Sequence, residues 1–361
     1  MNQLQSSKEH LPGLDALRGI SAIAVIVFHI EQIKSFNRLP NLMDYGFFAG
    51  EGGRNAVILF FVLSGYLITK NLLKERSFER KISYKRFYLK RILRIWPLYY
   101  LVLFLSAWAL DYTPKESTFW MCIFIFPNVA HASIGGWVAN PPIWTIGAEE
   151  QFYLTWPWVI DKFRTHTLTI LIAIIVIITV LPFILIWLVE NHFPRPGLAN
   201  QVKTIFAATK FNTFALGGLC AYIFHKHPNW ALHFREPVLS TTIILIPFIF
   251  WFSGVSVPYL NDELYALFFS VLIVHVSLNR GGGFLFNNSI LNYLGKISYG
   301  IYLFHHLAII LGLRYVPPVF FKSLIASNIV YYIIVFSTTV MVATISYYGM
   351  ERYFLRLKSR L

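Results

Sequence analysis

The chain is 361 residues long, 56% hydrophobic and only 13% charged, with a mean hydropathy of +0.57. A soluble domain carries roughly 25% charged residues, so this composition excludes a water-soluble globular protein and points to a chain whose body lies in lipid. The net charge of +14 needs no nucleic-acid partner, because ten of the 31 Lys and Arg residues fall in one stretch, 70–94, flanked by apolar sequence; a basic juxtamembrane loop on the cytoplasmic side accounts for them.

Apolar stretches near 20 residues, the length that crosses a bilayer, fall at 15–33, 56–73, 92–110, 143–160, 168–189, 204–225, 238–255, 262–278, 291–313 and 324–348. They predict an all-α polytopic membrane bundle of about ten transmembrane helices, with 1–361 a single membrane domain. Neither end is long enough for an appended soluble domain, which leaves any chemistry to the bundle and its loops.

The first stretch, LPGLDALRGISAIAVIVFHI, carries Arg18 at its start and His29 near its end. Eleven helical residues turn about 1,100°, so the two side chains share nearly one face, about 16 Å apart along the axis. Asp15, one turn before Arg18, is placed to pair with it. SGYL, 64–67, offers small residues where helices can approach closely. The basic stretch that follows includes Arg86, Arg91 and Arg94. TFWMCIFIF, 118–126, is too short to cross and is closed by Pro127, which predicts a re-entrant or interfacial piece.

PPIWTIGAEEQFYLTWPW, 141–158, sets Glu149 and Glu150 about halfway along an otherwise apolar run. Adjacent helical residues point in different directions, and an ionised carboxylate facing lipid costs several kcal/mol; at least one must face a polar interior. Later, Lys210 and His275 stand isolated in apolar sequence and read as structural or interfacial. LGKISYGIYLFHHLAII holds His305 and His306, which cannot share a face, and Glu351 and Arg352 open a basic tail.

Charge sets the orientation. With the N-terminus inside, the inner connecting segments hold 21 Lys and Arg and the outer ones 8, the asymmetry that topogenesis imposes, which puts both termini in the cytoplasm. The cysteines, Cys122 and Cys220, form no CxxC or zinc spacing, so no metal is expected.

A histidine, one or two carboxylates, a second histidine and an arginine cluster suit group transfer from a charged cytoplasmic donor to an alcohol. They suit equally a transporter or flippase for a lipid-linked or anionic solute, and residue chemistry alone leaves both open.

Five motifs, in order, resemble those of the bacterial type-3 integral membrane acyltransferases, surface-carbohydrate O-acyltransferases, over nearly the whole chain. Arg18, ten residues and His29 meet the first; FFVLSGYLIT, 60–69, the second; RFYLKRILRIWPLYY, with Arg86, Arg91, Arg94 and Pro97, the third. WTIGAEEQFY, with Trp144, Thr145, Glu149 and Glu150, meets the fourth, and SYGIYLFH, with Ser298, Tyr299 and His305, the fifth; MERYF resembles the family's closing glutamate and arginine. Two departures from the pattern, at three positions, stand out. Ala56 and Ile58 stand where a glycine and an acid are usual, and Thr145 replaces a serine while keeping its hydroxyl.

The resemblance implies transfer of an acyl group, acetyl by default, from cytoplasmic acyl-CoA to a hydroxyl of an extracytoplasmic surface carbohydrate. O-antigen of lipopolysaccharide, capsule, exopolysaccharide, peptidoglycan and a lipid-linked sugar are all compatible acceptors. The implied setting is the bacterial cytoplasmic (inner) membrane, with membrane lipids as surroundings and no nucleic acid. The implied catalytic set is His29 as general base, Glu149 or Glu150 orienting it or relaying its proton, and His305 lining the same cavity; a covalent acyl-histidine is compatible with the same residues. Arg18, Arg86, Arg91 and Arg94 are the implied acyl-CoA contacts.

Overall fold

The computed structural model describes residues 12–45, 52–79, 81–193, 195–230, 236–278, 286–316 and 323–359. The basic residues counted at 1–11 and 279–285, and the outer segments 46–51 and 317–322, lie outside the described residues.

The regular elements are helices: α1 (Pro12–Phe36), α2 (Gly52–Glu79), α3 (Tyr84–Ala109), α4 (Glu116–Ile123), α5 (Pro127–Ile134), α6 (Trp144–Lys162), α7 (Thr167–His192) and α8 (Leu198–Ala207). They continue as α9 (Phe211–Lys226), α10 (Pro237–Phe252), α11 (Asn261–Leu278), α12 (Ser289–Lys296), α13 (Ser298–Tyr315), α14 (Leu324–Ser346), a π-turn at Tyr347–Glu351 and α15 (Arg352–Ser359).

Among the described residues six helical runs are long and apolar enough to cross a membrane: α1, α2, α3, α7, α11 and the run Ile325–Ser359; α12 and α13, bent by 76°, together make a seventh. The remaining apolar stretches differ for identifiable reasons. The stretch 204–225 breaks between α8 and α9 at Lys210, whose backbone is left-handed (φ 56°) and whose amine is drawn onto the Asp262 carboxylate. Helices α9 and α10 have 16 residues each, about 24 Å of rise against a hydrocarbon thickness of about 30 Å. Helix α6 is 19 residues long but carries Glu149, Glu150 and Gln151 in its middle.

Helix α2 lies at the centre, sharing its most extensive interface with α9 and also packing on α1, α11 and α6. The α2–α9 crossing is closed by reciprocal glycines: a Cβ on Gly65 would strike the Phe214 carbonyl, and one on Gly217 the Val62 carbonyl. The small residues of SGYL are therefore used for close approach. A second crossing of the same kind joins α1 to α12, where Gly19 faces the Leu291 carbonyl and Gly295 the Asp15 backbone. Next to it the chain bends at Ile297. Helix α7 stands at the periphery, with only 6% of its apolar window buried, the face expected toward lipid.

The basic stretch 70–94 is not an open loop. Its described residues are mostly the last turns of α2 and the first turns of α3, tied to the end of α6 by Arg76 donating to the Ile160 carbonyl at 2.9 Å and Tyr84 to Asp161 at 2.8 Å. The short piece at 118–126 forms most of α4 and the turn after it, and Pro127 opens α5. Tyr99 and Tyr100, midway along α3, donate to the Cys122 and Ile123 carbonyls at 2.7 and 2.8 Å, so the end of α4 reaches the middle of the bundle.

Candidate active site

Four elements bring the polar groups together. Helix α1 carries Arg18 and His29 on one face, α13 crosses α1 with His305, α6 starts beside α13, and α3 supplies the arginines. The start of α6 is deep in the bundle: Asn140 donates to the Leu303 carbonyl at 2.8 Å, and Thr145 to the Tyr302 hydroxyl at 3.0 Å.

His29 Nδ1 lies 3.0 Å from the Val25 carbonyl and 3.2 Å from His305 Nε2, with the ring centroids 4.9 Å apart. His305 Nδ1 lies 2.6 Å from the Tyr302 carbonyl. A carbonyl only accepts, so in the neutral rings both Nδ1 atoms carry the proton. His29 Nδ1–H is then shared between Val25 and the His305 Nε2 lone pair, and His29 Nε2 keeps a lone pair of its own. His305 is buried, whereas His29 is partly accessible. The two predicted histidines thus form a pair, and among the described residues the His29 Nε2 lone pair has no hydrogen-bond partner.

The glutamates are held elsewhere. Glu149 accepts from Ser64 at 2.6 Å and from the Tyr153 hydroxyl one turn along α6. Glu150 accepts from the Trp96 indole at 3.0 Å, while its other oxygen is buried without a partner. Among the described residues neither carboxylate hydrogen-bonds His29, so the expected orientation of His29 by a glutamate is replaced by the Val25 carbonyl and His305. Thr145, from which Glu149 is one turn removed, stands between the two groups.

Below the glutamates lie the arginines. Arg91 stacks over Phe87 and Tyr153 at 5.3 and 5.0 Å, within electrostatic reach of Glu149, Glu150 and Arg94. Its Nε is buried without a partner. Arg18 pairs with Asp15 at 2.6 Å, as the spacing predicted, and faces Arg94; Arg94 also faces Glu351. Arg18, Arg91 and Arg94 are therefore one cluster, answered in charge by Asp15, Glu149, Glu150 and Glu351. Arg86 stands apart, half-buried on the first turn of α3, about 7 Å along the axis from Arg91.

Sequence reasoning missed Ser64, Trp96, Tyr153 and Tyr302 as partners of these groups. Only Tyr153, four residues after Glu149, gave a helical-spacing signal; the others come from remote parts of the chain. His306 lies on the same turn as His305, buried, bonded to the Ala139 backbone and with Nδ1 unpartnered. Ala56 and Ile58 are fully buried core residues. Of the two isolated polar residues, Lys210 joins Arg54 on Asp262, and His275 lies 3.0 Å from the Ser240 hydroxyl. Among the described residues no group of His, Cys, Asp and Glu could hold a metal ion.

Fold and site together define a multi-pass membrane protein with an acid–base constellation inside its bundle. A family model described as an acyltransferase domain matches residues 11–348, and the chain belongs to this family of bacterial integral membrane O-acyltransferases of the cytoplasmic membrane.

The chain is 25% identical to the peptidoglycan O-acetyltransferase OatA of Listeria monocytogenes over 83% of this chain and 49% of that protein. It is 28% identical to the putative peptidoglycan O-acetyltransferase YrhL of Bacillus subtilis, over 84% and 49%. With the O-acetyltransferase OatA of Staphylococcus aureus it shares 25% identity, over 96% and 57%. The chain thus spans about half the length of these curated relatives. No solved structure matches it.

Proposed function

We propose that this chain is an O-acyltransferase of about ten membrane segments, both termini cytoplasmic, that moves an acetyl group from acetyl-CoA to a hydroxyl of an extracytoplasmic carbohydrate. The observation that carries the reading is the His29–His305 pair. It puts a free basic nitrogen at one end of the α1 face whose other end, about 16 Å away, holds Arg18 in the arginine cluster.

Its chemistry follows from the tautomers. His29 Nε2 takes the proton of the acceptor hydroxyl as that oxygen bonds the acyl carbon; the C–S bond breaks, and the proton passes to the departing thiolate. His29 is cationic between these events. Its Nδ1–H, already directed at the Val25 carbonyl and the His305 lone pair, then becomes a charge-assisted donor. His305 is a positioning residue in this scheme, as is Tyr302, whose carbonyl holds the His305 tautomer.

The donor end fits in a specific way. Carboxylates already answer Arg18, Arg91 and Arg94, so the cluster is not a bare cationic hole, and the nucleotide phosphates are assigned to the basic first turns of α3, including Arg86. The unpartnered Arg91 Nε and Glu150 oxygen offer one donor and one acceptor deeper in, which suits the amide-bearing arm of the thioester. Similarity to peptidoglycan O-acetyltransferases favours acceptors of the peptidoglycan type.

The test is transfer of labelled acetyl from acetyl-CoA to extracted envelope glycans by the purified chain in vesicles. Label on a glycan with the wild type and none with His29→Ala is the expected result. Full transfer by a folded His29→Ala protein would overturn the role of His29, and thioester left intact with a solute moved instead would mean a transporter.

A further inference from the structure

The run Ile325–Ser359 is interrupted by the π-turn at Tyr347–Glu351, and that turn decides where Glu351 points. Ser346 and Glu351 are five residues apart, which a regular α-helix would separate by about 140° around its axis. The wider turn brings them together, and the Ser346 hydroxyl donates to Glu351 Oε1 at 3.0 Å. Turns of this kind are rare and recur at functional sites. Glu351 is buried as a result, whereas Arg352, next in sequence, is exposed.

Two consecutive residues of α13 complete the arrangement around Arg94. The Tyr299 hydroxyl donates to the Ile95 carbonyl at 2.8 Å, which fixes the α3 backbone one residue after Arg94. Gly300 leaves room for the carboxylate, since a Cβ there would lie 3.3 Å from Glu351 Oε1 and 3.2 Å from the Ala343 Cβ. The π-turn and α15 both pack on α3, and Glu351 acts electrostatically on Arg94. Arg18 and Arg91 repel Arg94 from the other side. Asp15 is bonded to Arg18, Glu149 to Ser64 and Tyr153, and Glu150 to Trp96, which makes Glu351 the countercharge on the Arg94 side of the cluster. His305 follows Gly300 by five residues, about 7.5 Å along the axis, so one helix braces both Arg94 and the histidine pair.

We propose that Glu351 is a positioning residue for the acyl donor: set against Gly300 by the π-turn, it holds the Arg94 guanidinium where Arg94 contacts the donor. This rests on the acyl-CoA reading above and extends the donor site to the last helical run of the chain.

Acetyl-CoA binding to the full chain in nanodiscs, measured by isothermal titration calorimetry beside the kinetics of label transfer, tests it. Preorganised contacts bind more tightly than loose ones, so Glu351→Gln should raise the Kd and the KM for acetyl-CoA about tenfold and leave kcat within about twofold. Net charge alone predicts the opposite sign, because removing a carboxylate beside arginines strengthens their attraction for an anionic donor. Arg94→Gln should weaken binding by a similar factor. Adding Glu351→Gln to it should change nothing further, the non-additivity of a residue that acts through another. Gly300→Ala keeps every charge while crowding Glu351, and should raise the Kd as well; Arg356→Gln, on the exposed side of α15, should not. A merely structural Glu351 would lower the melting temperature and the active fraction, with the Kd of the folded protein unchanged. That result, a Kd that falls, or a full effect of Glu351→Gln in the Arg94→Gln chain would overturn the proposal, while binding by the wild type left the donor reading standing. A wild type that binds no acetyl-CoA would overturn that reading and this proposal with it.

Discussion

The lone pair at His29 Nε2 exists because two backbone carbonyls, those of Val25 and Tyr302, each claim an Nδ1 proton. Removing the ring in His29→Ala should lower transfer by about 10²–10⁴, the usual contribution of a positioned general base, as measured by single-turnover label transfer. Changing His305→Gln keeps a polar side chain but loses the imidazole acceptor. A fall in kcat of about tenfold with the KM for the acyl donor unchanged is expected, whereas a merely structural role would lower the yield of folded protein instead. Thr145 gives a finer comparison, since its hydroxyl lies 3.1 Å from the Pro142 carbonyl and 3.0 Å from Tyr302. Thr145→Ala should cost about 1 kcal/mol of stability for the lost hydrogen bond, while Thr145→Ser should retain the bond and most of the activity.

At the level of helices, the bundle depends on two crossings at which backbones touch. Gly65→Ala and Gly217→Ala would each drive a methyl into a carbonyl of the partner helix. Overpacking costs typically about 1–3 kcal/mol, and backbone has less room to yield than a side chain. Loss of monodisperse protein in detergent gel filtration is the expected readout, with Gly349→Ala, which meets nothing nearby, as the neutral comparison. Helix α1 is anchored at its other end by Glu31, which accepts from Lys34 at 2.7 Å, from Tyr332 of α14 at 2.6 Å and from the Leu42 amide. Both members of this ion pair are buried. Glu31→Gln removes the countercharge of Lys34, and a loss of about 3–5 kcal/mol should appear as a large fall in melting temperature.

For the whole molecule, the proposed orientation, arginines on the cytoplasmic side and His29 toward the outside, rests on the charge asymmetry of the connecting segments. In a chain with Cys122 and Cys220 replaced, Ser359→Cys should react with a membrane-impermeant maleimide only after the membrane is opened, and Ser35→Cys in intact cells stripped to the membrane. The reverse pattern would invert the site and oppose transfer in the proposed direction. Most spanning helices were legible because a long apolar run leaves the backbone no alternative to helix in lipid. The break at Lys210 was not, because it depends on Asp262, 52 residues later, and apolar periodicity carries no record of such a partner. The bend at Ile297 was hidden for the same reason, lying beside a glycine contact with α1.

By itself the sequence determined that this is an all-helical membrane protein, that Arg18 and His29 share a helix face, and that carboxylates and histidines inside apolar runs must turn inward. These follow from the helical repeat and the cost of charge in lipid, which act locally along the chain. Only the tertiary structure decided which inward groups meet. It paired His29 with His305 across 276 residues of chain and gave Glu149 and Glu150 to Ser64, Tyr153 and Trp96. Those choices rest on how α1, α3, α6 and α13 cross, and crossings are set by side-chain shape and backbone contact between segments far apart in sequence.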